Sequence, residues 1–117
     1  MKIKITSLKK EGKEKVEIEG ARNVWKQVPI SRADGAPTFS FRVFTIEPQG
    51  YTPLHTHPFE HGNYVIGGSG AVVTEEDERP IKNGDFVFVA PNERHRYKNT
   101  SKSEPFVMIC AVPKDHE

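Results

Sequence analysis

Residues 38–61 read TFSFRVFTIEPQGYTPLHTHPFEH, and this stretch both decides the fold and locates the chemistry. Its first nine residues are rich in aromatic and β-branched side chains, the composition of an inner strand, which is expected to close at Glu47-Pro48. Its last seven hold three histidines, His55, His57 and His61. In an extended chain residues i and i+2 share a face, so His55 and His57 aim two imidazoles at one point. Pro58 then breaks the strand, which allows the chain to turn and bring His61 back over the same spot.

Outward from this stretch the pattern stays extended. Nine glycines and nine prolines fall at short intervals along 117 residues and leave little room for a helix of three turns. Met1, Ile3 and Ile5 alternate with Lys2, Lys4 and Thr6, while Val16 and Ile18 alternate with Lys15, Glu17 and Glu19. Further strands are expected over residues 23–30, 62–66, 71–74, 85–90, 95–98 and 105–112. Turn chemistry separates the later ones at Gly67-Gly68-Ser69-Gly70, Asn83-Gly84, Pro91-Asn92 and Asn99-Thr100-Ser101. Many short strands in so short a chain predict an all-β barrel or sandwich, one domain over residues 1–113, with a loose tail at 114–117.

Composition narrows the function classes. Seventeen basic residues face sixteen acidic ones, a net charge of +1, and the lysines between Lys9 and Glu19 alternate with glutamates. No basic face is built, so no nucleic-acid partner is expected. The longest near-apolar run, residues 106–112, is far short of the ~20 residues of a membrane helix, so no membrane partner is expected either. Residues 1–6 (MKIKIT) lack the apolar core of a signal peptide, and the single Cys110 cannot form an internal disulfide; a cytoplasmic protein is expected.

A fourth histidine, His95, follows the Ala90-Pro91-Asn92 turn at the head of another expected strand. Imidazole suits Zn, Cu, Fe, Ni and related divalent ions, so His55, His57, His61 and His95 are candidate metal ligands.

Both histidine segments together resemble the cupin superfamily, whose first motif is G-x5-H-x-H-x3,4-E-x6-G and whose second is G-x5-P-x-G-x2-H-x3-N. His55, His57, Gly68, Gly84, His95 and Asn99 occupy motif positions at the expected spacing, within residues 49–99. Gln49 takes the place of the first glycine with Gly50 next, and Ala90 replaces the proline of the second motif. Asn92 stands where glycine is usual, the next best choice for a left-handed backbone. The position of the metal-binding glutamate is His61, and Glu60 is one residue out of step.

The chain thus resembles the small single-domain manganese cupins with four histidine ligands. That resemblance implies a double-stranded β-helix, or jelly-roll barrel, with His55, His57, His61 and His95 as ligands and Mn(2+) as the metal, Fe(2+), Ni(2+), Zn(2+) or Cu(2+) being the other choices. It also implies a homodimer, with the strands of residues 1–30 at the interface. Four neutral imidazoles leave the ion's +2 charge uncompensated and two positions of an octahedral ion free, which leans toward chemistry. Ordinary imidazoles predict a metal affinity that falls between about pH 7 and pH 5.

Alternation then names the pocket wall. Tyr97 shares the face of His95, and Met108, Cys110 and Val112 form one face of the last strand; Tyr97 and Cys110 are the candidate catalytic side chains. On the long strand either Phe39, Phe41 and Val43 or Phe44 and Ile46 line the barrel. Arg42 reads as an outward charge in preference to a carboxylate anchor. The expected pocket is mostly apolar and suits a small aliphatic or aromatic substrate. A dioxygenase-type oxidoreductase leads, against a sugar-acid isomerase or lyase, which would need Tyr97 or Glu60 as acid/base, and against a non-catalytic binding module.

Overall fold

The long strand exceeds its sequence signal. The computed structural model describes residues 2–117, and in it the chain forms β1 (Glu14–Lys15), β2 (Arg22–Ile30), β3 (Phe39–Tyr51), β4 (His61–Gly67) and β5 (Ser69–Val73). There follow β6 (Glu78–Lys82), β7 (Phe86–Val89), β8 (Arg96–Asn99) and β9 (Phe106–Pro113). Strand β3 runs through Glu47-Pro48 because the proline sits in a bulge. Pairing with β2 jumps from Val24 opposite Ile46 to Arg22 opposite Tyr51, and Gln49 takes a left-handed φ of 67°. Gly50 follows where a Cβ would stand 2.7 Å from Arg22 O.

The strands pair antiparallel in the order β6-β5-β8-β3-β9-β4-β7, with β2 on β3 and β1 on β2. This curled sheet is a jelly-roll barrel, as expected. Strand β6 escapes the sequence reading because it is an end strand, charged and carrying Pro80, a residue tolerated only at edges.

Register fixes which side chains face inward. Arg42 of β3 lies opposite Cys110 of β9, which lies opposite Asn63 of β4; the next row is Phe44, Met108 and Val65. Ile46, Val65, Phe106 and Met108 are fully buried and form the core with Val24, Val72 and Tyr97. The motif residue Asn99 closes this core. Its Nδ2 donates to Ile46 O and to Glu104 O, each at 2.8 Å, which ties the end of β8 to β3 and to the approach of β9.

Both chain ends depart from expectation. Residues 2–13 form no strand, and Ile3 and Ile5 are 73% and 87% exposed; Met1 lies outside the described residues. A turn over residues 8–11 takes over, held by Gln27 Nε2, which donates to Leu8 O (2.8 Å) and Glu11 O (3.1 Å). Lys4 Nζ meanwhile donates to Pro29 O at 2.8 Å. The loose tail is instead a docked 3-10 turn, Lys114–His116. Lys114 N donates to Thr38 O (3.1 Å), and Glu117 Oε2 accepts from Arg32 N (2.9 Å) and from Ser40 Oγ.

Candidate metal centre

Four imidazoles meet where three separate segments converge. The segment between β3 and β4 carries His55 and His57, β4 opens with His61, and His95 immediately precedes β8. The backbones of His55 and His95 pair as an isolated antiparallel bridge, with N to O distances of 3.2 and 3.1 Å. His55, His57 and His95 each offer a ring nitrogen, all within 4.8 Å of one another. His61 adds its Nε2 at 3.2 Å from Nε2 of His95, and its ring centroid lies 4.9 Å from that of His57.

The other nitrogen of every ring is already committed. Nδ1–H of His55 donates to Pro53 O (2.7 Å), that of His57 to Phe59 O (2.9 Å), and that of His95 to Glu93 O (2.8 Å). His61 Nδ1–H donates to Asn63 Oδ1 at 2.7 Å. An oxygen that can only accept fixes the proton on Nδ1, so each neutral ring carries its lone pair on Nε2. Lone pairs on His61 and His95 then face each other at 3.2 Å, an arrangement that repels unless a cation lies among them. Oriented Nε2 atoms backed by Nδ1–H bonds to oxygen are the donor set of a divalent transition ion, and these residues fit one.

Electrostatics favour the neutral form of His57, His61 and His95. Burial, with His95 and His57 adding, pulls His61 down to about 4 despite its bond to Asn63. His95 and His57 are lowered as well, chiefly by burial and then by neighbouring positive imidazoles.

The Nε2 atoms face a cavity of about 660 Å³ with a largely apolar wall that includes Val16, Ile18, Val24, Phe44, Phe59 and Met108. Phe44 settles the open parity: the even-numbered residues of β3 face in. Phe41 and Val43 line a separate shallow groove with Leu8 and Ile109. Arg42 therefore points inward, contrary to the sequence reading, because it shares a face with Phe44 and Ile46. Its Nη2 donates to Cys110 Sγ at 3.1 Å, and its Cζ lies 4.9 Å from the Phe44 ring centroid.

Tyr97 and Cys110 both line the cavity and are 3% and 1% exposed. Burial raises the Tyr97 phenol far above its ordinary value, and its OH donates to Asn63 Oδ1 at 3.0 Å. Cys110 Sγ lies 3.7 Å from His61 Nδ1. Glu60 is exposed and outside the cavity wall.

Three contributors were missed in the sequence. Asn63 holds His61, and its position two residues on along β4 was the available signal. Lys26 lines the cavity from β2. His116 stacks on Phe59 (3.9 Å between centroids), which stacks on His57 (4.1 Å), so the docked tail braces a candidate ligand.

Comparison with known proteins agrees with the fold. The polyketide cyclase RemF from Streptomyces resistomycificus is similar with a TM-score of 0.90 and 25% identity, over 96% of this chain and 80% of that one. A cupin 2 domain-containing protein from Halorhodospira halophila is 34% identical with a TM-score of 0.74, over 88% of this chain and 70% of that one. An uncharacterised protein of Methanocaldococcus jannaschii is 26% identical over 93 residues, which is 78% of this chain and 66% of that protein. Residues 42–112 match the cupin domain family, more than half of the chain, and the protein belongs to that family.

Proposed function

We propose that this protein is a metal-dependent enzyme of the dioxygenase type. It holds one divalent ion, manganese before iron, nickel, zinc or copper, on His55, His57, His61 and His95, and it acts on a small, largely apolar or aromatic substrate. The observation that carries the reading is the cluster of His55, His57 and His95, with ring nitrogens within 4.8 Å of one another on one largely apolar cavity and His61 Nε2 3.2 Å from His95 Nε2. Bound there, the ion supplies Lewis acidity and, as manganese or iron, a redox partner for dioxygen.

The chain's own part is binding, orientation and exclusion of water. Phe44, Phe59, Val24 and Met108 pack against an apolar substrate body. Tyr97 and Asn63 hold the His61 ring in place. Neither nominee for acid/base work is suited to it: the Tyr97 phenol stays protonated and committed to Asn63, and Glu60 lies off the cavity. That favours metal chemistry over sugar-acid isomerisation.

One observation favours a second reading. Likeness to the polyketide cyclase RemF extends over 96% of the chain, which supports a redox-neutral ring closure of a polyketone-like substrate at the same site. Oxygen uptake by the manganese- or iron-loaded protein separates the two, with acetylacetone and catechol as probes. Uptake abolished by a chelator is expected; turnover that proceeds without oxygen supports ring closure, and no turnover on any probe leaves the binding module. The protein is also expected to be a homodimer, so light scattering at micromolar concentration gives twice the chain mass; a monomeric mass contradicts this.

A further inference from the structure

Arg42 carries a positive charge into the barrel, and no carboxylate among the described residues makes an ion pair with it. Among the described residues no carboxylate oxygen lies within 4.0 Å of its guanidinium, whereas Arg32, Arg79 and Arg94 each have one. Its named partners are weak: the Cys110 thiol at 3.1 Å, a poor acceptor, and the face of Phe44. Its Nε is buried with no hydrogen-bond partner. A guanidinium held in an apolar wall with its donors unfilled is costly unless something else fills them.

A second cation stands beside it. Lys26 lines the same cavity from β2, and its pKa is lowered first by burial and then by Arg42. Glu14, opposite Lys26 in the β1–β2 register, and Glu117, held on Ser40 of β3, offset part of that charge. The other acids on the cavity wall, Glu17 and Glu19, are exposed and lie on the strap around β1.

The guanidinium is also close to the histidines. One thiol separates them, since Cys110 Sγ touches Arg42 Nη2 at 3.1 Å and lies 3.7 Å from His61 Nδ1. The positive charge of Arg42 is felt at His57 and His61, where it opposes protonation.

We propose that Arg42, assisted by Lys26, is the anion anchor of this cavity and selects small carboxylic acids with an apolar body. The carboxylate takes the unfilled guanidinium donors, and the apolar body lies against Phe44, Met108 and Phe59. The proposal rests on the metal reading for where reaction takes place, but the anchor itself needs no metal.

The test is calorimetric titration of the full chain, metal-free and zinc-loaded, with benzoate and with its neutral isostere benzamide. The metal-free protein is expected to bind benzoate saturably and benzamide at least about tenfold more weakly. Arg42→Gln should lower benzoate affinity by about tenfold or more, Lys26→Gln by a smaller factor, and Arg42→Lys should recover part of the loss. Zinc stoichiometry of Arg42→Gln should match that of the wild type, which shows an intact site, although its zinc affinity shifts with the lost positive charge. If Arg42→Gln does not fold, Arg42→Lys against the wild type still reads the loss of the planar donor fork. Equal binding of benzoate and benzamide, or an Arg42→Gln protein that binds benzoate like the wild type, overturns the anchor. Arg42-dependent benzoate binding in a protein that takes up no zinc supports the anchor while sinking the metal reading. Zinc uptake without benzoate binding does the reverse.

Discussion

Asn63 accepts from His61 Nδ1 and from the Tyr97 hydroxyl with one oxygen, so a single amide sets the orientation of one candidate ligand. Partners of this kind typically change metal affinity by about 10–100-fold when removed. Asn63→Ala should show a loss of that size by chelator competition, and Tyr97→Phe only a few-fold loss; unchanged affinity in Asn63→Ala contradicts the assignment. The pH response follows from the same residues. Unfolded imidazoles, near ~6.5, take up protons that the folded site refuses, with His61 held at about 4. Stability of the metal-free protein is therefore full above about pH 6.5 and falls as pH drops toward 4, by about 3 kcal/mol from His61 alone. Urea unfolding at several pH values checks this, and a flat profile contradicts it. Metal affinity should decline as pH falls, and protonation of His57, His61 and His95 should contribute to that decline below the ordinary imidazole range. The four histidines are legible in the chain because the spacing of His55, His57 and His61 marks a cluster and the resemblance to the cupin motifs adds His95 to it. Arg42 is not, because both faces of β3 are apolar: Phe41 and Val43 line the outer groove with Leu8, and Phe44 and Ile46 face inward.

At the scale of elements, turns carry the constraints that strands cannot. Gly68 has φ +77° between β4 and β5, and a Cβ there would stand 2.2 Å from Pro105 O. Gly84, before β7, has φ +100° and nothing within 4 Å. Gly84→Ala should therefore cost about 1–2 kcal/mol for the left-handed backbone alone, and Gly68→Ala clearly more, because the approach to β9 must move. Thermal melts of the two variants decide it; equal losses contradict the steric account. Asn92 has φ 68°, the conformation expected of a residue that stands in for glycine. Most strands could be placed from alternation and turn residues. Strand β3 was read too short because Pro48 is absorbed in a bulge, and β6 was invisible because an end strand of charged residues with a proline carries no periodic signal.

For the whole molecule, the barrel brings together groups far apart in sequence. His61 and Cys110 meet across the β4–β9 pair, and Arg42 joins them from β3. The tail joins too, as His116 stacks behind Phe59 and His57. None of these meetings follows from local spacing, which is why the sequence located the histidine cluster but not the Arg42 side of the cavity. Ile3 and Ile5 alternate as a strand would, yet within one chain residues 2–6 have no strand to pair with.

Elemental analysis of untagged protein purified without chelators, alongside His61→Ala and His95→Ala, tests the central claim most directly. About one transition-metal ion per wild-type chain, manganese or iron foremost, is expected, with marked loss in both variants. A wild-type chain that arrives metal-free and also refuses added manganese, iron, nickel, zinc and copper contradicts the four-histidine site.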